Sequence, residues 1–220
     1  MQEHTVKAFD EDITRLRGLI AEMGGLAEVA IAEAMKALVG GDEELAAAVV
    51  ERDKKLDALE VEVDALAIRI IALRAPMADD LREIIAALKI GGVIERIGDY
   101  AKNIAKRVGS IEGRSRFEPL TLLPAMGELA ADMVHDVLTA YAARDPIAAR
   151  EVIERDHKVD AFYDSIFRNL VSYMVENPAT ISTAAQLLFV ARNLERIGDH
   201  ATNIAEMVHY AAVGTYPPDR

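Results

Sequence analysis

The sequence contains two copies of one long pattern, and this duplication restricts the folds that the chain can adopt. The stretch ERIGDYAKNIA at 95–105 returns as ERIGDHATNIA at 195–205, at an offset of 100 residues. The stretch ERDKKLD at 51–57 returns as ERDHKVD at 154–160, at an offset of 103 residues. Residues that interrupt helices recur in the same order: Asp42 with Asp145, and Pro76 with Pro178. A chain that repeats motifs and breakers in one order is built from a duplicated structural unit.

The breakers divide each copy into three segments, and none of the segments shows the period-two alternation of a half-buried strand. We predict six helices, at about 5–39, 43–74, 79–109, 120–143, 146–176 and 180–212. The fold class is therefore all-α, with two tandem three-helix bundles formed by the duplication. We expect the first bundle at 1–112, the second at 117–213 and a flexible tail at 214–220, with 113–119 as the linker.

Composition excludes several classes of function. The chain of 220 residues carries 25 Lys and Arg against 37 Asp and Glu, a formal charge of −12. This charge and an aromatic content of 5% without Trp disfavour nucleic-acid binding, which depends on basic and aromatic side chains. There is no cysteine for disulfides or thiolate chemistry. No apolar run reaches the ~18 residues of a membrane span, and the polar N-terminus does not resemble a signal peptide. We expect a cytoplasmic protein.

The third helix of each copy places three polar residues opposite its apolar stripe. In the first copy, Glu95, Asp99 and Asn103 follow one another at intervals of one turn. The stripe on the other side is formed by Ile90, Ile94, Ile97, Ala101, Ile104 and Val108. The second copy repeats the arrangement with Glu195, Asp199 and Asn203, and its stripe is Val190, Leu194, Ile197, Ala201, Ile204 and Val208. We expect the polar residues to face outward.

Two features favour a metal site over an ordinary solvated face. Carboxylates at i and i+4 repel each other, so an isolated helix gains nothing from the E-x-x-x-D spacing. The copies also differ at neighbouring positions, with Lys102 against Thr202 and Lys106 against Glu206, although Glu, Asp and Asn are identical. A hard cation bound by oxygen ligands one turn apart explains both features.

The second helix of each copy supplies a further acidic pair. Asp53 and Asp57 recur as Asp156 and Asp160, again one turn apart. These aspartates can complete an all-oxygen site, for which Mg²⁺, Mn²⁺ or iron is the favoured ion. The alternative is that they form salt bridges with one of four basic residues, Lys55, Lys158, Arg96 or Arg196.

Taken together, these motifs give the chain a pattern that resembles the PhoU family of phosphate-transport regulators. The resemblance rests on E-R-D-x-K-x-D, on R-x-P-x-x-x-D-L-R from Arg74 to Arg82, on a Met-Gly-Gly turn at 23–25, and on the doubled E-R-I-G-D-x-x-x-N-I. It covers nearly the whole chain. One departure is Asn177-Pro178, where the second copy lacks the arginine and the D-L-R segment.

The resemblance implies two three-helix bundles, metal sites at the E-x-x-x-D motifs and no enzymatic activity. It assigns Glu95, Asp99, Glu195 and Asp199 as metal ligands. It also implies signalling between a phosphate ABC transporter, through its ATPase subunit, and a sensor histidine kinase, so that the phosphate-starvation response stays silent when phosphate is plentiful. We further expect a homodimer that reaches the membrane only through its partners.

Two other interpretations stay open. Glu154 with His157 and Glu206 with His209 have the E-x-x-H spacing of ferritin-like di-iron bundles. Lys54 and Gly109 occupy the corresponding histidine positions of the first copy, however, so the symmetry of a di-iron site is missing. The other alternative is a helical adaptor without metal. No H-E-x-x-H, G-x-S-x-G or Walker A pattern is present.

Overall fold

The computed structural model describes residues 2–111 and 121–217, with side chains from residue 8 onward. These residues form six α-helices and no strand, which confirms the predicted fold class. The helices are α1 (Gln2–Gly40), α2 (Glu43–Arg74), α3 (Asp79–Ala105), α4 (Leu122–Ala143), α5 (Pro146–Glu176) and α6 (Ile181–Val213). None of the described helices combines the length and apolar character needed to cross a membrane.

Side-chain hydrogen bonds cap two helices at the N-termini that the sequence predicts. The side chain of Asp42 accepts a hydrogen bond from the backbone N–H of Leu45 at 2.9 Å and so caps α2. Asp145 caps α5 in the same way, and Pro146 takes the first helical position. Gly41 between α1 and α2 has a φ of 67°, a left-handed conformation that favours glycine.

Two local predictions need correction. The third helix ends at Ala105 rather than near residue 109, and a 3-10 turn at Val108–Ser110 follows it. The turn keeps Val108 buried, so the apolar stripe continues beyond the α-helix. The Met-Gly-Gly stretch at 23–25 is not a turn but lies inside α1. There Gly24 faces Leu138 of α4, and the missing side chain allows the two helices to pack closely.

The segments outside the helices are only partly described. Residues 214–217 carry no helix, but the ring of Tyr216 stacks on that of Tyr210 with centroids 4.9 Å apart. The expected flexibility of residues 214–220 stays a prediction, and residues 218–220 lie outside the described ranges. The expected linker at 113–119 also lies outside them.

The helices form two layers. One layer has the order α2–α3–α6–α5, and α1 and α4 pack side by side beneath it. At the contact between α3 and α6, Tyr100 meets its own counterpart His200, with ring centroids 5.2 Å apart. Arg107 reaches Gln186 at 2.7 Å, so α3 and α6 run antiparallel. The two copies are therefore related by an approximate two-fold axis through this contact.

The apolar core extends across both copies. Every residue of the two predicted apolar stripes is buried. Buried residues of α1 and α4 join them in one continuous cluster. A Cβ atom on Gly127 of α4 would lie 2.9 Å from Cγ of Met35 in α1, so these helices also approach closely across the axis.

A buried carboxylate links the copies. Glu83 of α3 is 6% exposed and accepts a hydrogen bond from Nε of Arg17 in α1 at 2.6 Å. Its other oxygen contacts the guanidinium of Arg144, the residue directly after α4. Arg144 has a φ of 54°, the left-handed conformation of a helix C-terminus. Glu83 therefore ties the first copy to the α4–α5 connection of the second.

Candidate metal centre

The predicted polar residues of α3 and α6 are half-buried rather than exposed. They are Glu95, Asp99, Asn103, Glu195, Asp199 and Asn203. They lie on the face opposite the buried apolar stripes, but α2 packs along α3, and α5 along α6, with acidic residues at both junctions, so the neighbouring helices cover them in part. Two grooves result: the first groove lies between α2 and α3, and the second groove between α5 and α6.

A glycine in each E-R-I-G-D motif allows this close packing. A Cβ atom on Gly98 would lie 2.5 Å from Cδ1 of Leu56 and 3.3 Å from Oδ1 of Asp53. A Cβ atom on Gly198 would lie 3.0 Å from Oδ1 of Asp156. The glycine before each motif aspartate therefore brings an aspartate of the neighbouring helix beside the motif.

In the first groove, a lysine binds two of the predicted carboxylates. The ammonium of Lys102 contacts Oδ2 of Asp53 and donates to Oδ1 of Asp99 at 2.5 Å. Burial opposes this charge, but the hydrogen bonds of the two carboxylates outweigh it and raise the pKa of Lys102. Burial is also the largest influence on Asp53 and raises its pKa, against the lowering effect of Lys102. Asp57, the partner of Asp53 in α2, is exposed at the edge of the groove.

In the second groove, no basic side chain of the described residues contacts the corresponding aspartate, Asp156. Burial raises the pKa of Asp156 to about 6, and the charges of Asp160, Asp199 and Glu195 act in the same direction. Burial likewise raises the pKa of Glu195. Four carboxylates therefore repel one another in this groove, and Asp160 lies exposed at its edge.

The salt-bridge alternative is realised in part, but not with the partners predicted for the aspartates of the second helix. Asp53 binds Lys102, whereas Lys55 binds Glu22 at 2.8 Å. Arg196 donates at 3.3 Å to Asp199 of its own helix.

The side chains as placed do not form a finished coordination sphere. Among the described residues, no three carboxylate or imidazole side chains converge on a point where an ion could be held. The E-x-x-H pairs do not form such a group either: the imidazole of His157 contacts a backbone carbonyl of its own helix, and that of His209 the carbonyl of Thr215. Metal binding by the predicted ligands stays a prediction.

Two participants in the first groove are not apparent from the motif spacing. The sequence shows Lys102 only as a position at which the two copies differ. Its position three residues after Asp99 nevertheless allows an i,i+3 ion pair. Glu60 of α2 belongs to no motif, yet its charge helps to raise the pKa of Glu95, after burial and Asp99. Its position seven residues after Asp53, two turns further along α2, is the signal that could have identified it.

Two matching three-helix units, each with an acidic groove beside a glycine-containing motif, define a class of duplicated all-helical proteins. The family model described as PhoU domain matches residues 20–108 and again residues 123–208. This chain belongs to the PhoU family. That family consists of regulatory accessory proteins, which confirms the prediction that the chain is not an enzyme.

Individual relatives agree with the family. The chain is 57% identical to the phosphate-specific transport system accessory protein PhoU homolog of Zymomonas mobilis, over 99% of this chain and 92% of that protein. The crystal structure of PhoU from Pseudomonas aeruginosa has a TM-score of 0.91 at 38% identity, covering 94% of this chain and 100% of that one. The phosphate transport system regulatory protein PhoU from Streptococcus pneumoniae has a TM-score of 0.89 at 26% identity, covering 95% and 99%.

Proposed function

We propose that this chain is a non-enzymatic regulator of phosphate uptake and of phosphate-starvation signalling. The observation that carries the proposal is the match of both halves to the PhoU domain, together with relatives named as accessory proteins of the phosphate-specific transport system. A protein without catalytic chemistry acts through its contacts, so its effect depends on the partners that its surfaces meet.

The proposed partners are the ATPase subunit of the phosphate ABC transporter and a sensor histidine kinase. When phosphate is plentiful, the chain lowers the activity of both and so keeps the starvation response silent. It acts from the cytoplasm as a homodimer and reaches the membrane only through these partners. Its acidic character, with a formal charge of −12, is unsuited to direct binding of nucleic acid or of anionic lipid.

Deletion of the gene tests this role. The deletion strain should produce alkaline phosphatase during growth in ample phosphate, because the starvation response is no longer repressed. Reintroducing the chain should restore repression. Normal repression in a deletion strain that holds no second PhoU copy would contradict the proposal.

We further propose that the grooves bind metal through oxygen ligands. The ligands are Asp53, Asp57, Glu95, Asp99 and Asn103 in the first groove and Asp156, Asp160, Glu195, Asp199 and Asn203 in the second. Oxygen-only donors favour Mg²⁺, Mn²⁺ or iron. The residues fit such an ion in two respects: Lys102 already serves as a stand-in cation in the first groove, and the raised pKa of Asp156 reflects burial and unrelieved repulsion in the second. An ion held by these residues would supply positive charge that offsets the repulsion among the carboxylates.

Substitution of the motif aspartates tests metal binding. Asp99→Ala combined with Asp199→Ala should sharply lower the metal content found by elemental analysis of protein purified without chelator, because affinity depends on ligand number and charge. The matched control is Glu51→Ala with Glu154→Ala. These two residues occupy equivalent positions in the two copies, and the substitutions remove the same charge as Asp99→Ala with Asp199→Ala.

The outcomes separate the three interpretations. Equal metal content in the double variant and the wild type would contradict the proposed ligands. Loss of metal only in the control would favour the di-iron arrangement that includes Glu154. If no protein binds metal at millimolar supply, the grooves are only acidic surface and the chain is a metal-free adaptor.

A further inference from the structure

The two grooves hold equivalent carboxylates but differ in the residue three positions after the motif aspartate. In the first groove this residue is Lys102, whose ammonium contacts Asp53 and Asp99, one carboxylate from each helix. The Lys102 side chain is 20% exposed, so it lies within the groove and not over it. In the second groove the residue is Thr202, whose hydroxyl donates to the backbone carbonyl of Asp199 at 2.7 Å. Threonine therefore supplies no charge to its groove.

Other basic residues do not replace the missing ammonium. Arg192 pairs with Glu195, and Arg196 lies 3.3 Å from Asp199. Each arginine comes from α6 itself and keeps nearly half of its side chain in solvent. Neither contacts Asp156, so among the described residues the carboxylates of α5 and α6 are not joined by a cation of the chain.

One further difference accompanies the lysine. Glu60 adds a carboxylate beside Glu95 in the first groove, and its counterpart in the second copy is Tyr163. The total charge of the two grooves therefore differs little, and what distinguishes them is which oxygens are free. In the first groove, the oxygens that face each other across α2 and α3 already bind an ammonium.

We propose that Lys102 acts as a built-in cation which blocks metal binding in the first groove, so that this chain takes up metal only in the second groove. The inference rests on the proposed metal binding and restricts it: of the two ligand sets proposed above, only that of the second groove is open to an ion while Lys102 is present. An ion entering the first groove has to displace the ammonium from Asp53 and Asp99 and leave it beside the new charge. An ion entering the second groove displaces nothing from Asp156.

Exchange of the two residues tests the inference, with Mn²⁺ as the probe. The full chain is stripped with chelator and titrated with Mn²⁺ by calorimetry, and bound ions are counted by electron paramagnetic resonance. Lys102→Thr should about double the equivalents of bound Mn²⁺. The Thr202→Lys variant should lose nearly all of the Mn²⁺ binding that the wild type shows, with affinity lowered at least about tenfold, because the new lysine adds a competing charge among the ligands. The combined exchange should restore the wild-type number of equivalents.

The control is Lys106→Thr, which removes the same charge from an exposed position one turn further along the chain. It should leave the equivalents unchanged. If Lys102→Thr does not fold by circular dichroism, Thr202→Lys decides alone: near-complete loss supports the inference, and loss of half overturns it. Equal binding by wild type and Lys102→Thr also overturns it, while metal binding itself stands. No Mn²⁺ bound by any variant, Lys102→Thr included, would instead contradict the proposed metal binding.

Discussion

Gly98 lies where α3 packs closely against α2, between Glu95 and Asp99. Substitution by alanine places a methyl group 2.5 Å from Cδ1 of Leu56, which is buried, so the Leu56 side chain has to shift within the core. We expect Gly98→Ala to lower the free energy of unfolding by about 1–3 kcal/mol, the usual cost of overpacking a core. Urea denaturation followed by circular dichroism measures this change.

Gly25 provides the comparison for that prediction. It lies inside α1, and a methyl group added to its Cα would have no neighbouring atom within 4 Å. Gly25→Ala should raise the free energy of unfolding by about 0.5–1 kcal/mol, because alanine restricts the unfolded chain and favours helix. Equal effects of the two substitutions would show that Gly98 is not a packing requirement.

The charge of Asp156 leads to a second prediction at this scale. The pKa of Asp156 rises from 3.8 to about 6 in the folded chain, chiefly through burial and then through Asp160, Asp199 and Glu195, with His157 opposing. A raised carboxyl pKa stabilises the folded state below pH 3.8, and this contribution is lost as the pH rises through about 6. Above about pH 6, the charged carboxylate therefore destabilises the protein that contains no metal.

Asp156→Asn removes this effect. In chelator at about pH 7.5, the variant should be more stable than the wild type by about 1–2 kcal/mol after allowance for solvent screening. The difference should shrink as the pH falls toward about 4, as urea denaturation across the pH range would measure. Asp164→Asn, further along the same helix, should change little. A difference between Asp156→Asn and wild type that does not depend on pH would contradict the assignment.

The motif carboxylates could be predicted from spacing alone, because residues one turn apart share a face of any helix. The role of Lys102 could not. Its side chain binds Asp53 only because α2 crosses α3 at that level, and the sequence of α3 contains no information about this crossing. The same crossing explains why Glu95 and Asp99 are half-buried rather than exposed.

At the scale of helices, sequence signals are reliable where a side chain forms hydrogen bonds with the backbone a few residues away. Asp42 and Asp145 start α2 and α5 as predicted, since each accepts hydrogen bonds from residues two or three positions away. The end of α3 at Ala105 is not predictable in this way, because no glycine or proline follows it until Gly109. The 3-10 turn that follows at Val108–Ser110 keeps Val108 buried.

Glu83 connects three helices, and its loss should be costly. Glu83→Ala leaves the guanidiniums of Arg17 and Arg144 without their shared partner. Because both arginines are about half exposed, water compensates in part, and we expect a loss of about 2–3 kcal/mol rather than the full cost of breaking a buried pair. Chemical denaturation measures it.

The control for Glu83 is a surface ion pair between the same two kinds of side chain. Arg15 contacts Glu62 at 2.5 Å, and both side chains are largely exposed. Glu62→Ala should therefore cost less than about 1 kcal/mol. If Glu83→Ala costs no more than Glu62→Ala, the triad does not stabilise the packing of the helices.

At the scale of the whole molecule, the duplication predicts the fold class and the order of six helices. The contact between the two copies could not be predicted from the sequence. An apolar stripe that faces the inside of one bundle cannot be told from an apolar stripe that faces the other bundle. The structure shows α3 against α6 and α1 against α4, with one continuous core. Separate bundles at 1–112 and 117–213 therefore remain a prediction about stability.

The last prediction concerns these two halves as fragments. Each contains three helices, one of which has a side-chain cap, and part of the core, so fragments 1–112 and 117–213 should each be helical by circular dichroism. Each also exposes the surface that the other half covers, along α1 and α3 or along α4 and α6. Burial of that apolar surface favours association, so the fragments should form a 1:1 complex by analytical ultracentrifugation. The mixture should melt at a higher temperature than either fragment.

Adding Glu83→Ala to the first fragment should weaken the complex, since Glu83 binds Arg144 of the second. Fragments that melt as high as the whole chain and do not associate would show that the contact between the halves contributes little to stability.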